Sequence, residues 1–359
     1  MNKKILAAAI ATALAAPLAA MAADDGNVTL YGQANVSVDS IDAGPDKQTT
    51  NVSTNQSVLG VKGWEGLGNG LKAVFHWDVF VGVDDGQEDI GGSNSFFGAS
   101  RDSWVGLEGG FGTVALGAQG RPWKTATNDT DIFVNTIADY ASIIGTTSDR
   151  AISHDSGIGN SVIWFLPNMS GFSGHLQYGT DESDTTDTNS WGAQFNYTNG
   201  GWRVTYAYDL QEGADTGSTD VDANKVSVSY TFAGATTISA IYDNINSDAA
   251  ASRAERDAFW LGLSHNMGNN TFKAAYASAD ESDVAGGNDG ADFWALGVSH
   301  HFSKRTEVYA LYANTDNDSA ASYGLGFGNA TSASSSGNSN PSAAGEDVSA
   351  FSVGLHHNF

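Results

Sequence analysis

The sequence predicts an all-β chain: a 16-stranded antiparallel barrel that crosses a membrane, with one long segment folded into its interior. Three observations predict it. The first is a phrase repeated at strand ends: LGLSHNM at 261–267, LGVSHHF at 296–302 and VGLHHNF at 353–359, with looser copies VSVSYTF at 226–232 and WGAQFNY at 191–197. Four of the closing residues, Tyr197, Phe232, Met267 and Phe302, stand 35 apart, and Phe359 follows after one long insertion. Each copy alternates large apolar with small or polar residues, the period of a strand with one apolar face. Thirty-five residues accommodate two membrane-crossing strands of about 10 residues, a short turn and a longer loop.

The second observation is an export signal. Met1-Asn2-Lys3-Lys4 is followed by an apolar run from Ile5 to Leu18 and by Ala20-Met21-Ala22. Basic, apolar and small-residue cleavage regions in that order predict a signal peptide over 1–22, with 23–359 as the mature barrel. No later segment approaches the roughly 20 apolar residues of a membrane helix, so a crossing must be made by closed strands. The third observation is where the charge lies. Segments 84–100, 180–189, 209–222, 243–257, 280–292 and 315–347 hold 26 of the 41 Asp and Glu, against Arg253 and Arg256 as their only bases. They alternate with short, nearly uncharged breaks such as 198–201, 233–236 and 268–270. Long acidic loops at one end and tight turns at the other are the asymmetry of an outer-membrane barrel.

Composition excludes other classes. The chain has no cysteine, which removes disulfide staples and thiol catalysis. A net charge of −25 argues against nucleic acid as a partner. No cofactor motif is present, and Asp220-Val221-Asp222-Ala223-Asn224 lacks the full spacing of a metal loop. The histidine pairs His300-His301 and His356-His357 follow from the strand repeat.

In chain order the alternation predicts strands at 27–38, 57–65, 71–83, 101–108, 113–118, 160–166, 172–179, 190–198, 202–210, 224–232, 237–245, 257–267, 271–279, 291–302, 306–314 and 347–359. In the third, Ala73, Phe75, Trp77, Val79 and Val81 share one face while Lys72, His76 and Asp78 share the other. In the ninth, Trp202, Val204, Tyr206 and Tyr208 oppose Arg203, Thr205 and Asp209. Residues 118–159 break the rhythm and carry Trp123, Phe133, Ile137, Tyr140, Ile143 and Ile144. That is too apolar for a solvated loop, and the barrel lumen is the surface available to it. Residues 320–344, rich in Gly, Ser and Asn, read as a mobile external loop.

The chain resembles the trimeric general porins of Gram-negative bacteria. The likeness is carried by Val28-Thr29-Leu30-Tyr31-Gly32, Gly60-Val61-Lys62-Gly63-Trp64-Glu65, Gly68-Asn69-Gly70-Leu71-Lys72-Ala73, Trp104-Val105-Gly106-Leu107, Phe111-Gly112-Thr113-Val114 and Gly171-Phe172-Ser173-Gly174. It implies a homotrimeric diffusion channel in the outer membrane, among lipid and lipopolysaccharide, passing small hydrophilic solutes and ions. It implies that Phe359 is read by the barrel-assembly machinery, and that 84–100 latches onto a neighbouring subunit. It also implies that the third external loop, about 118–150, sets the constriction, its Asp129, Asp131, Asp139 and Asp149 facing wall bases. Arg101 stands in one ladder position, with Arg121 and Lys124 near the loop's start. Gln33, Val58 and Gly159 stand where the family often has bases, so the ladder is thinned.

With wall bases thinned and acids at the mouth, the expectation is a cation-preferring pore. Arg203, Lys225 and Lys273 are expected to face the lumen as solute-tracking candidates. The alternative is a substrate-specific channel; a second is an outer-membrane hydrolase using Ser153-His154-Asp155. Neighbours on a strand point to opposite faces and rarely form a triad, and no G-x-S-x-G or H-E-x-x-H occurs.

Overall fold

The computed structural model describes residues 26–45, 47–84, 97–148, 153–182, 188–215, 219–247, 255–283, 287–326 and 339–359. The expected signal peptide, 1–22, and most of the 84–100 loop lie outside the described residues.

The strands are β1 (Asn27–Asp42), β2 (Gln48–Thr54), β3 (Val58–Gly68), β4 (Leu71–Val81), β5 (Phe97–Gly109) and β6 (Gly112–Gly120). After a long connection come β7 (Gly157–Phe165), β8 (Phe172–Gly179), β9 (Ser190–Asn199), β10 (Trp202–Asp215), β11 (Thr219–Phe232) and β12 (Thr236–Ser247). The last five are β13 (Arg256–Met267), β14 (Asn270–Ala279), β15 (Ala291–His301), β16 (Thr306–Asn317) and β17 (Val348–Asn358). Each pairs antiparallel with its neighbours, and β1 pairs with β17 to close the ring.

Seventeen segments fill sixteen positions. On one flank β1 pairs with β17, from Gln33↔Asn358 to Asp42↔Ser349. On the other, Asn27–Gln33 pair with β3 and Val36–Asp42 pair with β2. β2 and β3 therefore share one position, interrupted at 55–57, where Gln56 takes a φ of 54°. Polar side chains fill the break: Ser57 Oγ accepts from the Asn35 N–H at 3.0 Å, and Asn55 Nδ2 donates to Ser37 Oγ at 2.8 Å. The sixteen expected strands are all present. β2 is the addition; its sequence QTTNVST holds one large apolar residue and reads as loop.

Alternation sorts the side chains as a membrane barrel requires. On β10, Trp202, Val204 and Tyr206 are exposed on the outer face, while Thr205, Ala207 and Asp209 are buried in the lumen. On β17, Phe351, Val353 and Leu355 lie outward, and Ala350 and Ser352 inward. The repeated phrase closes β9, β11, β13, β15 and β17, so its copies share one rim, that of the short turns. Those turns need backbone that most residues resist. Asn69 and Gly70 take φ of 53° and 78°, the double left-handed pair that matches strand twist in a two-residue hairpin.

Phe359 completes the ring. It exchanges backbone hydrogen bonds with Gly32, 3.0 Å and 3.3 Å, and its ring lies over that glycine. A Cβ at Gly32 would stand 2.5 Å from the Phe359 ring. Deleting Phe359 is therefore expected to reduce the yield of heat-modifiable barrel on SDS gels far more than Phe302→Ala, since Phe302 only ends a strand at the rim. Equal losses would make Phe359 one more interfacial aromatic.

Candidate functional site

The described parts of the connection from β6 to β7, residues 121–148 and 153–156, fold into the lumen. It begins with one helical turn, α1 (Pro122–Thr125), opened by a proline whose missing N–H costs nothing there. Midway is a 3-10 turn, Tyr140–Ser142, capped by the Asp139 carboxylate, which accepts from the Ala141 N–H at 3.0 Å. The lobe's apolar side, Trp123, Phe133, Ile137, Ile143 and Ile144, is fully buried in one cluster with Ala207, Ile241, Trp260 and Phe293 of the wall. Each fully buried large side chain contributes about 1.5–3 kcal/mol, so this face favours the lobe's place inside.

Three polar anchors fix its position. Arg121 Nη1 donates to both Asp209 oxygens, at 3.0 and 3.2 Å, and His154 Nδ1 lies 2.7 Å from the same carboxylate. Gly145 N donates to Asp243 Oδ2 at 3.1 Å, and Arg256 donates to the Ile143 and Thr146 carbonyls. Lys225 Nζ stands 3.4 Å from the Trp123 ring centroid and donates to Thr127 Oγ1 at 3.1 Å. A charge removed from water needs such partners. The loop expected to be external also takes part. Ala321, Tyr323 and Leu325 are buried, Ser322 N donates to the Ser148 carbonyl at 2.9 Å, and Gly326 N donates to Ser142 Oγ at 3.0 Å. Its described ends are packed against the lobe, because Ala321, Tyr323 and Leu325 alternate with small residues and present one apolar edge.

With most of the β10–β16 side filled, apart from a small cavity lined by Lys273, Ser299 and Glu307, open space lies against β1, β3, β4 and β5. A cavity of about 400 Å³ there is bounded on the wall by Tyr31, Gln33, Gln56, His76, Asp78 and Arg101, and on the lobe by Lys124, Asn128, Val134, Asn135, Asp139, Tyr140 and Asp155. Asp155 Oδ1 accepts from Tyr140 Oη at 2.6 Å, and its Oδ2 is 3.3 Å from Lys124 Nζ. Burial pushes the Asp155 carboxyl up, but the Lys124 charge and the Tyr140 hydroxyl outweigh it and hold it below the usual range. Asp78 is held by Tyr31 Oη at 3.0 Å and by the Asp102 N–H at 2.8 Å.

The residues singled out in the sequence meet different fates. Arg101, Lys124 and Asp139 line the cavity. Asp131 and Asp139 lie in the lobe but turn into its backbone. Asp131 accepts from the Phe133 and Tyr140 N–H groups, Asp139 from those of Asn135 and Ala141. Asp129 pairs with Arg203. Arg121 and Lys225 are buried beneath the lobe as anchors rather than open to solutes, and Lys273 stands 5.8 Å from the Phe133 ring centroid. Asp149 lies outside the described residues. The neighbours Ser153, His154 and Asp155 diverge: His154 pairs with Asp209, Asp155 with Lys124 and Tyr140, and Ser153 Oγ accepts the Asp155 N–H. Sequence reading missed the anchoring roles of Asp209, Asp243 and Arg256, which stood among apparent loop acids; their inward place in the alternation was the available signal.

Comparison with known proteins agrees with this geometry. The family model described as Gram-negative porin matches residues 7–320. The chain belongs to the Gram-negative porins. Major outer membrane protein P.IB of Neisseria gonorrhoeae is 30% identical over 292 residues, covering 78% of each chain. The P.IB protein of Neisseria meningitidis serogroup A is 30% identical over 303 residues, 77% of this chain and 81% of that one. Among solved structures, an anion-selective porin from Comamonas acidovorans superposes with a TM-score of 0.76 at 26% identity, covering 93% of this chain and all of that one. This porin is accordingly a channel of the Gram-negative outer membrane and not an enzyme.

Two predictions follow from how the porin's lobe is held. Asp209→Ala leaves Arg121 and His154 buried without their shared partner, a loss of about 3–5 kcal/mol for such a pair. Its melting temperature should fall, and its single-channel current should become noisier than that of wild type. Burial pushes the Asp131 carboxyl up to about 6, against the pull of its two amide donors. Burial, then the charges of Asp131 and Asp155, push Asp139 well above the ordinary range. A folded lobe that favours the protonated form is most stable below the ordinary carboxyl value of 3.8 and loses that contribution as pH rises through about 6. Protection factors of the Phe133 and Tyr140 amides should therefore fall between pH 4 and pH 7; a rise would contradict the assignment.

Proposed function

We propose that this porin is a general diffusion channel for small hydrophilic solutes and ions, and that its constriction is close to charge-balanced. The observation that carries this is the lining of the open path. It presents Arg101 and Lys124 as bases and Asp78 and Asp155 as acids, while Asp139, the third acid of the lining, is turned into the lobe's own backbone amides. The acids on which a strong cation preference rested are engaged elsewhere, Asp129 with Arg203, Asp131 and Asp139 with backbone amides. The similar porin described as anion-selective also speaks against strong cation preference at this point. Cation attraction then comes mainly from the acidic outer segments, and ions screen it. The screening length is about 3 Å at 1 M salt and 30 Å at 0.01 M. The homotrimer, the latch at 84–100, contact with lipopolysaccharide and the reading of Phe359 by the assembly machinery are proposed with it, on the family resemblance.

Reversal potentials under a KCl gradient test the charge balance. Selectivity should be weak at high salt and shift toward cations as salt is lowered, and Arg101→Gln should move it further toward cations. Anion preference at both salt levels would overturn the reading. Liposome swelling should slow smoothly as sugars grow larger; saturable uptake of a single solute would point to a substrate-specific channel instead.

A further inference from the structure

We propose that the wall of the constriction carries a binding site for a divalent transition-metal ion, made by His76, Asp78 and Asp102. One ligand atom from each lies within 4.8 Å of the others, and His76 Nε2 is 3.6 Å from Asp78 Oδ2. Two nitrogen or oxygen ligands of a tetrahedral zinc ion stand about 3.4 Å apart, so the side chains must close by up to about 1.4 Å to complete the set.

A strand irregularity makes the grouping. Along β4 and β5 the register runs Trp77↔Ser103 and then jumps to Val79↔Ser100, which leaves Arg101 and Asp102 together opposite Asp78. Consecutive strand residues ordinarily face opposite sides, and a bulge re-aims them. Both reach the lumen side here: Arg101 lines the cavity, and Asp102 joins the cluster.

The carboxylates are also oriented as metal ligands are. Asp78 Oδ1 accepts from the Asp102 N–H at 2.8 Å, and Asp102 Oδ1 accepts from the Gly120 N–H at 2.9 Å. Each has one oxygen held by a backbone N–H, the role that outer hydrogen bonds play around bound metals. Asp78 Oδ2 takes the Tyr31 hydroxyl, which also lies within hydrogen-bond reach of His76 Nε2 and must swing aside on binding. The His76 ring is kept in place by Trp104, 5.4 Å away between centroids. One imidazole nitrogen with two carboxylates suits zinc or nickel better than calcium or magnesium, which take oxygen ligands in larger number. Arg101 opposes the ion, since its charge acts on Asp78.

The effect on current rests on the reading of this cavity as the conduction path. In planar bilayers, zinc chloride should lower single-channel conductance and shift the reversal potential toward anions, while equal magnesium chloride should not. His76→Asn and Asp102→Asn should abolish the zinc response, and Arg101→Gln should move it to lower zinc. An equal response to magnesium, or one unchanged in both His76→Asn and Asp102→Asn, would overturn the site. Zinc-edge anomalous scattering from soaked crystals separates the two readings. A peak beside His76 Nε2 with unaltered current upholds the site and refutes the conduction path, whereas no peak refutes the site.

Discussion

Hydrocarbon offers a backbone no hydrogen-bond partner, so a strand that crosses it cannot leave an edge open. The meeting of β1 and β17 satisfies that constraint, and the rest of the molecule is arranged around it. Along one flank β1 takes partners over nearly its whole length, which is why one barrel position is shared by β2 and β3. Phe359 seals the last gap by exchanging backbone hydrogen bonds with Gly32. Closure also fixes the interior. A ring of sixteen strands is too wide for wall side chains to fill, and water enters unless something else occupies it.

That occupant is the lobe between β6 and β7, and its chemistry explains why acid content is a poor guide to the field in the pore. A carboxylate enclosed between lobe and wall must find donors. Asp131 and Asp139 find them in the lobe's own amides, Asp209 and Asp243 in Arg121, His154, Arg256 and Gly145. What remains for a passing ion is a small set on one side, in which Lys124 sits against Asp155 and Arg101 acts on Asp78.

The barrel was legible because its information is local. A two-residue period, a turn such as Asn69-Gly70 and a repeat closing on Tyr197, Phe232, Met267 and Phe302 each declare themselves within a few residues. The inward turn of the lobe was legible for the same reason: Trp123, Phe133 and Ile144 have no place in water. The fate of its charges was not legible. Whether Lys225 faces solutes or Trp123 depends on a contact between residues 102 apart in sequence. Likewise Asp102 joins His76 only through a register slip, which no periodicity reveals. β2 was missed because Thr and Asn on a barrel's inner face look like loop.

Both ends of the lobe converge on one carboxylate: Arg121 at its entry and His154 near its exit bind Asp209. The chain between them is thereby clasped at its neck, independently of the contacts at its tip. A segment tied in this way has lost most of its freedom at the knot, and lengthening or reshaping the stretch beyond adds little entropic cost, since closure depends only logarithmically on length. Variation in the lobe's far end can thus retune the aperture while the hinge that suspends it on β10 stays the same.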